Sequence, residues 1–222
     1  MGVIDRAIDS ASYLGLALKG QVTMSRPPRH SYLIDHGFYH VISRSINNLD
    51  VFKDAKDFAH FLQLTRQAKQ AFPIRLFHYA LMHTHFHLVI QTLHAMDLPQ
   101  HLTFLKRNYT RWYQKKYAWR GPLWRERYRS LPIENEDYLA ACGLYVELNP
   151  VKAGICQCPE EYPYSSAKKY FLGEQNALLD DYSPSPAADS LRPLATLPAR
   201  VSDSLFTNPQ GIGSTAFVKR AQ

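Results

Sequence analysis

Residues 80–91 read Ala-Leu-Met-His-Thr-His-Phe-His-Leu-Val-Ile-Gln, and this stretch decides the predicted fold. Histidines alternate with apolar residues at a period of two, the pattern of a strand that presents alternate side chains to opposite faces. The two faces would carry His83, His85 and His87, and Phe86, Leu88 and Ile90. A single histidine is more often a core or surface residue. Three on one face favour a chemical site, because imidazole binds divalent metals and carries protons near neutral pH.

The segments around the histidine strand predict an α+β domain. Strands are predicted at 38–45, 74–82 and 123–133, and helices at 54–71, 101–118 and 134–148, the last ending before Asn149-Pro150. Strand 74–82 precedes the histidine strand so closely that both form an antiparallel hairpin around Met82–Thr84, with His83 near its turn. This order matches the split βαβ plan of ferredoxin-like domains, with an antiparallel sheet and one added helix. The added helix is free to lie across the histidine face.

Composition limits the size of the domain and the class of its partners. With 222 residues and 45% hydrophobic content, the chain is long enough for one ordinary domain with tails or for two small domains. The formal net charge of +7 favours an anionic partner, nucleic acid before a membrane surface, although a merely basic protein would also have it. An odd number of cysteines, three, suits a reducing compartment. No apolar run approaches the roughly 20 residues of a membrane helix.

The chain divides into three predicted segments. Residues 1–23 are a poorly specified leader, either a mis-assigned start or a mobile arm, because Met24 begins a more natural sequence. Residues 24–173 form the domain that contains the histidine strand. Residues 174–222 form a tail, with a linker-like stretch at 183–188 and the pattern of a weak helix at 191–206.

Cationic and aromatic residues interleave from Lys106 to Arg129, and Glu126 is the only acid among them. Arginine and lysine neutralise phosphates, and aromatic rings stack on unpaired bases. The alternative is an amphipathic helix with aromatic core residues, but a solvated face rarely has so many cations without compensating acids. The segment therefore predicts nucleic-acid contacts through Arg107, Arg111, Lys115, Lys116, Arg120, Trp124, Arg125, Arg127 and Arg129.

The third predicted helix carries a tyrosine and an asparagine four residues apart. Tyr145 and Asn149 would therefore lie on the same side of that helix. A tyrosine hydroxyl is a poor nucleophile unless a divalent cation on the substrate phosphate assists it. Two histidines and a side-chain amide would be three neutral ligands that leave positions open for phosphate oxygens. Taken alone, Tyr145 is more simply a half-buried aromatic residue at a helix–sheet contact.

Four motifs occur in a fixed order: His85-Phe86-His87, GPLWRERYRS at 121–130, YVELNPVKAG at 145–154 and YPYSSA at 162–167. As a set they resemble the REP-associated tyrosine transposases, a branch of the single-tyrosine HUH transposases, over roughly residues 24–173. The resemblance implies a ferredoxin-like fold and a Mg²⁺- or Mn²⁺-dependent single-strand DNA endonuclease. Such an enzyme would nick and rejoin DNA at hairpin-forming palindromic repeats through a 5′-phosphotyrosine intermediate.

The resemblance also implies roles for individual residues. His85 and His87 would be metal ligands in the catalytic centre, Tyr145 the nucleophile and Asn149 a third metal ligand. Related transposases often have glutamine at the last of these positions, and commonly asparagine where this chain has His83. The implied partner is single-stranded or hairpin DNA, and the implied location is the bacterial cytoplasm, at the nucleoid. A monomer is expected rather than a homodimer.

Two other functions fit part of the sequence. Residues 83–87 match the HxHxH spacing of histidine-triad nucleotide hydrolases, in which the middle histidine attacks a nucleotide phosphate. In that family the position of Thr84 is usually apolar, and the basic segment and Tyr145 would have no role. A domesticated protein that binds DNA hairpins without cutting them would need the basic segment but not Tyr145.

Overall fold

The computed structural model describes residues 32–182. Within this range lie the strands β1 (Phe38–Arg44), β2 (Ile74–Met82), β3 (His85–Thr92) and β4 (Arg129–Ile133). The helices are α1 (Ala55–Ala71), α2 (Asp97–Tyr117), α3 (Glu136–Glu147), α4 (Asn149–Lys152) and α5 (Ala167–Leu172). No helix in this part of the chain is long and apolar enough to cross a membrane. The predicted leader lies outside the described residues.

The strands form one antiparallel sheet in the order β2-β3-β1-β4. β3 lies between β1 and β2, the two strands that α1 connects, which is the split βαβ arrangement. The predicted α+β fold with an antiparallel sheet is therefore confirmed. β4 occupies only the end of the predicted extended segment 123–133, and Trp124 at its beginning makes an isolated bridge with Ser45.

The β2–β3 hairpin turns at residues 83 and 84, because Met82 pairs with His85. His83 lies in this turn and is exposed, and its Nδ1 is 2.7 Å from the carbonyl oxygen of Phe52. The prediction that places His83 near the turn is confirmed, but the prediction of three histidines on one strand face is wrong. Alternation fixes the face of a residue only while the chain is pleated, and a two-residue turn interrupts the pleat.

α1 begins at a hydrogen-bonded cap, whereas α2 begins without a side-chain cap. The Asp54 side chain accepts hydrogen bonds from the first turn of α1, and Asp57 accepts one from the backbone N–H of Asp54, which forms a capping box. α2 begins at Asp97, so the predicted loop around Pro99 and the predicted start at His101 are wrong. Proline is tolerated there because the N–H groups of a first turn have no helical partner.

α1 and α2 cover one face of the sheet. Phe61 of α1 lies against Phe86 of β3, with ring centroids 5.0 Å apart. Tyr109 of α2 lies 5.2 Å from Phe61, and its hydroxyl donates to the carbonyl of Val51. These aromatic side chains belong to the buried core, and they pack on the face of β3 that carries its even-numbered residues.

α3 covers the opposite face of the sheet, as the sequence predicts for the added helix. A buried cluster joins this helix to the strands: Ala80, Val89, Ile133, Leu139, Cys142 and Val146. Because successive residues of a strand alternate, His85 and His87 share the face of Val89. The histidine face of the sheet is thus the face beneath α3.

The segment after α4 extends the edge of the sheet beside β2. The N–H of Leu81 donates to the carbonyl of Tyr164 at 2.9 Å. Farther along, Asp180 forms an ion pair with Lys69 of α1. The chain therefore remains packed on the domain as far as residue 180, while the boundary at residue 173 stays a prediction. The linker-like stretch and the weak helix lie outside the described residues.

Candidate active site

Two neighbouring strands bring three histidines together. β3 carries His85 and His87, and β1 carries His40, which lies opposite Val89 in the register. The ring centroids of His85 and His87 are 5.1 Å apart, and those of His40 and His87 are also 5.1 Å apart. His40 and His87 are 0% and 1% exposed, whereas His85 is half-buried. These residues form a histidine cluster that extends from the interior of the domain towards solvent.

His85 and His87 each use one ring nitrogen in a hydrogen bond. The Nδ1 atom of His87 is 2.9 Å from Nε2 of His40, and Nδ1 of His85 is 2.9 Å from Oγ1 of Thr84. The Nε2 atom of His87 is buried and has no hydrogen-bond partner in the described part of the chain. A hydrogen bond at one nitrogen orients an imidazole, and when the ring donates that bond its other nitrogen has the lone pair that a metal needs.

Burial keeps the histidine cluster neutral at neutral pH. Removal from water lowers the pKa of His40 to about 4. Burial, assisted by the positive charge of Arg44, lowers the pKa of His85 to about 4. The pKa of His87 is well below its ordinary value, mainly because the ring is buried. A neutral imidazole has the lone pair that a metal needs, and an imidazolium does not.

Tyr145 lies beside the histidine cluster. Asn135 caps the start of α3, because its side chain accepts a hydrogen bond from the N–H of Tyr138, and the helix then crosses the histidine face. The ring centroid of Tyr145 is 5.9 Å from that of His40 and 5.9 Å from that of His87, and its ring is edge-on to both. The phenol and the imidazoles that the sequence predicts to be neighbours are therefore together in one chain.

The residues after α3 complete the surroundings of Tyr145. The predicted helix end before Asn149 is only a short interruption, because α4 begins there with Pro150 in its first turn. The side-chain NH₂ group of Asn149 donates to the backbone oxygen of Tyr145 at 2.8 Å. The Nζ atom of Lys152 lies 4.2 Å from the centre of the Tyr145 ring. Resuming the helix thus adds a cation beside the phenol.

A buried polar network anchors the end of α3 to the sheet. Glu147 accepts a hydrogen bond from Ser166, and one of its oxygens is 2.9 Å from Nδ1 of His78 on β2. Glu147 and His78 are both almost fully buried. Gly143 lets the helix approach, since a Cβ atom there would lie 2.5 Å from Nε2 of His78. The network fixes the helix two residues after Tyr145.

The residues present can hold a divalent cation only as part of an open site. Among residues 32–182, no three His, Cys, Asp or Glu side chains form a metal-binding group. His85 and His87 offer neutral imidazoles, and the hydrogen bond of Asn149 uses its NH₂ group, which leaves the amide oxygen for a ligand role. Such a donor set suits a cation whose other positions are filled by water or by phosphate oxygens.

Comparison with known proteins identifies the family of the chain. A family model for IS200-like transposases matches residues 34–149, a segment that contains His85, His87 and Tyr145. The chain belongs to the IS200-like transposase family. No curated protein matches the chain.

Two solved structures are similar to this transposase. One is a REP-associated tyrosine transposase bound to a REP hairpin, with a TM-score of 0.55 and 16% sequence identity, covering 72% of this chain and 96% of that chain. The other is a candidate transposase from Deinococcus radiodurans R1, with a TM-score of 0.37 and 20% identity, covering 56% of this chain and 96% of that chain. The first likeness shows that the transposase shares its α+β fold.

The cations predicted to contact DNA are distributed over both faces of the sheet. Arg107, Arg111 and Lys115 are exposed on α2, which covers the face away from Tyr145. Arg129 of β4 lies opposite Ile42 of β1, and Ile42 lies opposite His87 of β3. Because residues opposite each other in neighbouring strands share a face, Arg129 is on the histidine face. Three further exposed arginines lie in the loop between these elements: Arg120, Arg125 and Arg127.

Besides Arg129, which forms an ion pair with Glu126 at 3.2 Å, two residues of the predicted DNA-contacting set have structural partners. Lys116 forms ion pairs with Asp54 and Asp57, both at 2.7 Å, and so ties α2 to the start of α1. The indole N–H of Trp124 donates to Oγ1 of Thr110 at 3.1 Å, which attaches the loop after α2 to that helix. Contacts of either residue with DNA stay a prediction.

Sequence interpretation missed three residues at the site: His40, Arg44 and Lys152. His40 and Arg44 share a face of β1, and the alternation of residues 38–45 indicates this, but it does not reveal that β3 is the neighbouring strand. Lys152 follows Tyr145 by seven residues, two helical turns on the same side. That signal was hidden because Pro150 suggested that the helix ends.

Proposed function

We propose that this transposase is a metal-dependent single-strand DNA endonuclease. It would nick and rejoin DNA at hairpin-forming palindromic repeats through a 5′-phosphotyrosine intermediate. The observation that carries the proposal is the position of Tyr145, whose ring centroid is 5.9 Å from those of His40 and His87. Burying two imidazoles costs free energy that burying apolar side chains in their place would not cost. A polar cluster beside a phenol therefore supports a chemical role for the histidines and for Tyr145.

Tyr145 is the proposed nucleophile. Its phenolic oxygen forms a bond to phosphorus while the bond from phosphorus to the 3′ oxygen of the DNA breaks. The phenol loses one proton, and the departing oxygen gains one to become a 3′-hydroxyl. The 5′ end of the cut strand remains joined to the tyrosine until a 3′-hydroxyl, from the same or another strand, reverses these steps.

Two cations of the chain would stabilise the reacting phosphate. Lys152 is 4.2 Å from the centre of the Tyr145 ring. Arg44 lies opposite His85 in the sheet, and its charge contributes to the lowered pKa of that histidine. Negative charge on the phosphate grows as the phenolic oxygen attacks, and fixed cations near it stabilise the transition state more than the ground state.

His85, His87 and Asn149 would hold a Mg²⁺ or Mn²⁺ ion. Such an ion, when bound, supplies neutralisation of phosphate charge and polarisation of phosphorus. The lowered pKa values of the two histidines support the assignment, because they keep both rings in the form that has a lone pair. The buried Nε2 of His87, which no described residue contacts by a hydrogen bond, supports it as well.

Hairpin DNA is the proposed partner. The similar transposase structure was bound to a REP hairpin. The exposed arginines of α2 and of the following loop could neutralise the phosphates of hairpin DNA. The proposed monomer needs no residue from a second copy, because Tyr145 and His87 of one chain already lie side by side.

A labelled DNA hairpin with a single-stranded flank tests the proposal. With Mn²⁺, the wild-type protein should give a nicked strand and a covalent protein–DNA adduct that survives denaturing electrophoresis, and a chelator should abolish both. Tyr145→Phe should bind the hairpin with unchanged affinity and form no adduct, because it lacks the nucleophilic oxygen. Tyr138→Phe, a half-buried tyrosine two turns earlier on α3, is the matched control and should retain the adduct. An adduct formed by Tyr145→Phe would reject this nucleophile.

The hairpin assay, together with an assay on a small adenylate substrate, separates the other candidate functions. Binding of the hairpin by the wild-type protein without nicking would favour a domesticated DNA-binding protein. Hydrolysis of a small adenylate would favour a histidine-triad hydrolase. The position of His83 does not support the triad, because it lies in the hairpin turn with its Nδ1 bonded to the carbonyl of Phe52.

A further inference from the structure

His40 is the member of the histidine cluster to which the proposed reaction gives no role. It is 0% exposed, near the middle of β1, which has neighbours on both sides in the sheet. An apolar residue would fill this position without the cost of burying an imidazole. Its Nε2 is 2.9 Å from Nδ1 of His87, and the two rings stack at 23°. The only hydrogen bond of the His40 side chain among the described residues is therefore made to a candidate metal ligand.

The hydrogen bond between the two rings has two possible directions. A neutral imidazole carries one N–H, so only one ring can donate. If His87 donates from Nδ1, its Nε2 has a lone pair. If His40 donates, Nδ1 of His87 accepts, and the proton of His87 must be on Nε2, where it prevents metal binding through that atom. The identity of the donor thus decides whether His87 can be a ligand.

The protein alone leaves the choice between the two directions nearly balanced. Nδ1 of His40 and Nε2 of His87 are both buried, and both lack a hydrogen-bond partner in the described part of the chain. When His87 donates, the unpaired N–H is on His40, and when His40 donates, it is on His87. Each direction therefore leaves one buried N–H unpaired. Only the direction in which His87 donates leaves its Nε2 with a lone pair for a cation.

We propose that His40 is a positioning residue that accepts the Nδ1–H of His87 and thereby directs the Nε2 lone pair of His87 to a divalent cation. Thr84 has the same relation to His85, since its Oγ1 is 2.9 Å from Nδ1 of that ring. Both candidate ligands then have Nδ1 occupied and Nε2 left for the metal. The inference rests on the proposed function, because it assumes that the cluster holds a cation. His40 itself is not assigned as a ligand, since its Nε2 is used by His87.

Metal binding without DNA tests the role of His40. The full-length protein is titrated with Mn²⁺, and the free ion is followed by electron paramagnetic resonance. His40→Leu should weaken Mn²⁺ binding about 10–100-fold, the usual effect of losing the hydrogen-bond partner of a metal-binding histidine. His40→Gln should lose less, because its amide oxygen can still accept from Nδ1–H of His87. His101→Leu is the matched control and should bind Mn²⁺ like the wild type, because His101 is equally buried but lies on α2, over the other face of the sheet.

A second measurement needs no substitution at the cluster. In wild-type protein loaded with Zn²⁺, which is diamagnetic, the nitrogen chemical shifts of His87 should show a protonated Nδ1 and a metal-bound Nε2. This result decides the matter if His40→Leu fails to fold.

The possible outcomes separate this inference from the proposed function. Wild-type affinity in His40→Leu, or an unprotonated Nδ1 on His87, would overturn the role of His40 and leave the nuclease proposal intact. A wild-type protein that binds no Mn²⁺ would overturn both the inference and the metal site. Loss of nicking in Tyr145→Phe, with metal binding retained, would leave both in place.

Discussion

Lys152 is the cation of the site that packs on the ring of the proposed nucleophile. Its ammonium is 4.2 Å from the centre of the Tyr145 ring. Lys152→Met keeps the length of the side chain and removes the charge. We expect the rate of adduct formation at saturating DNA and Mn²⁺ to fall about 10²-fold, as for the loss of one group that stabilises a charged transition state. Single-turnover kinetics on the hairpin substrate measures this effect.

The control for Lys152 is an equally conservative change far from the site. Lys115→Met removes one exposed charge from α2, on the face of the sheet away from Tyr145. Its adduct should form at the wild-type rate once DNA is saturating. Equal rates for Lys152→Met and wild type would show that the cation packs against the phenol without assisting it.

At the scale of the element, the placement of Tyr145 depends on how closely α3 approaches β2. The imidazole of His78 occupies the space beside Gly143, held by its bond to Glu147 and by stacking on Tyr170 at 4.2 Å. Gly143→Ala would put Cβ 2.5 Å from Nε2 of that ring. We expect a loss of about 1–3 kcal/mol in the free energy of unfolding, the usual cost of overpacking. Urea denaturation measures it.

A double-mutant cycle with His78→Ala shows whether this collision is the cause. With the ring removed, alanine at position 143 should no longer cost stability. It should instead regain up to about 1 kcal/mol, because alanine is the better residue in a helix interior. If Gly143→Ala is equally destabilising in both backgrounds, the close approach of helix and ring does not explain the glycine.

Whole-molecule stability should depend on pH through buried histidines. His101 is 0% exposed, and burial lowers its pKa to about 4. In the unfolded chain it titrates near pH 6.5, so below that pH the unfolded state takes up a proton that the folded state does not. The stability contributed by neutral His101 is therefore complete above about pH 6.5 and decreases as the pH falls towards 4.

This dependence can be measured by urea unfolding at pH 7, 6 and 5. His101 should account for a loss of about 2 kcal/mol between pH 7 and pH 5. His101→Gln removes the titrating group, so its free energy of unfolding should decline less steeply, whatever its value at pH 7. Parallel curves for the two proteins would mean that His101 does not remain neutral in the fold.

The salt dependence of hairpin binding measures how many DNA phosphates the cations of the protein neutralise. The logarithm of affinity falls with the logarithm of salt concentration by about 0.9 per neutralised phosphate of duplex DNA. Arg107→Ala with Arg111→Ala removes two exposed charges of α2 and should reduce this slope by up to about 2. Nicking at saturating DNA should not change, because α2 lies on the face away from Tyr145.

The matched control changes two cations outside the predicted DNA-contacting set. Lys56 and Arg66 are exposed on α1, and replacing both with alanine removes the same net charge. This variant should keep the wild-type slope. If both double variants reduce the slope equally, net charge alone attracts the DNA and α2 makes no specific contact.

Features that depend only on local patterns could be predicted from the sequence. The alternation around His85 and His87 predicted their strand, and the apolar spacing of residues 54–71 predicted α1, because the period of a strand or helix depends only on neighbouring residues. The order of strands and helices then left few sheet arrangements, and the split βαβ plan was one of them. The same plan left the added helix, which carries Tyr145, free to lie across the histidine face.

The contacts between side chains of different elements depend on the three-dimensional fold. His40 pairs with His87 because β3 inserts beside β1 in one particular register, and no local pattern specifies the partner of a strand. Lys152 reaches Tyr145 because a helical turn resumes at Asn149 despite the proline after it, which packing permits and local propensity alone disfavours. A catalytic site is assembled from residues distant in the chain, so its candidates can be found in the sequence while their contacts depend on the fold.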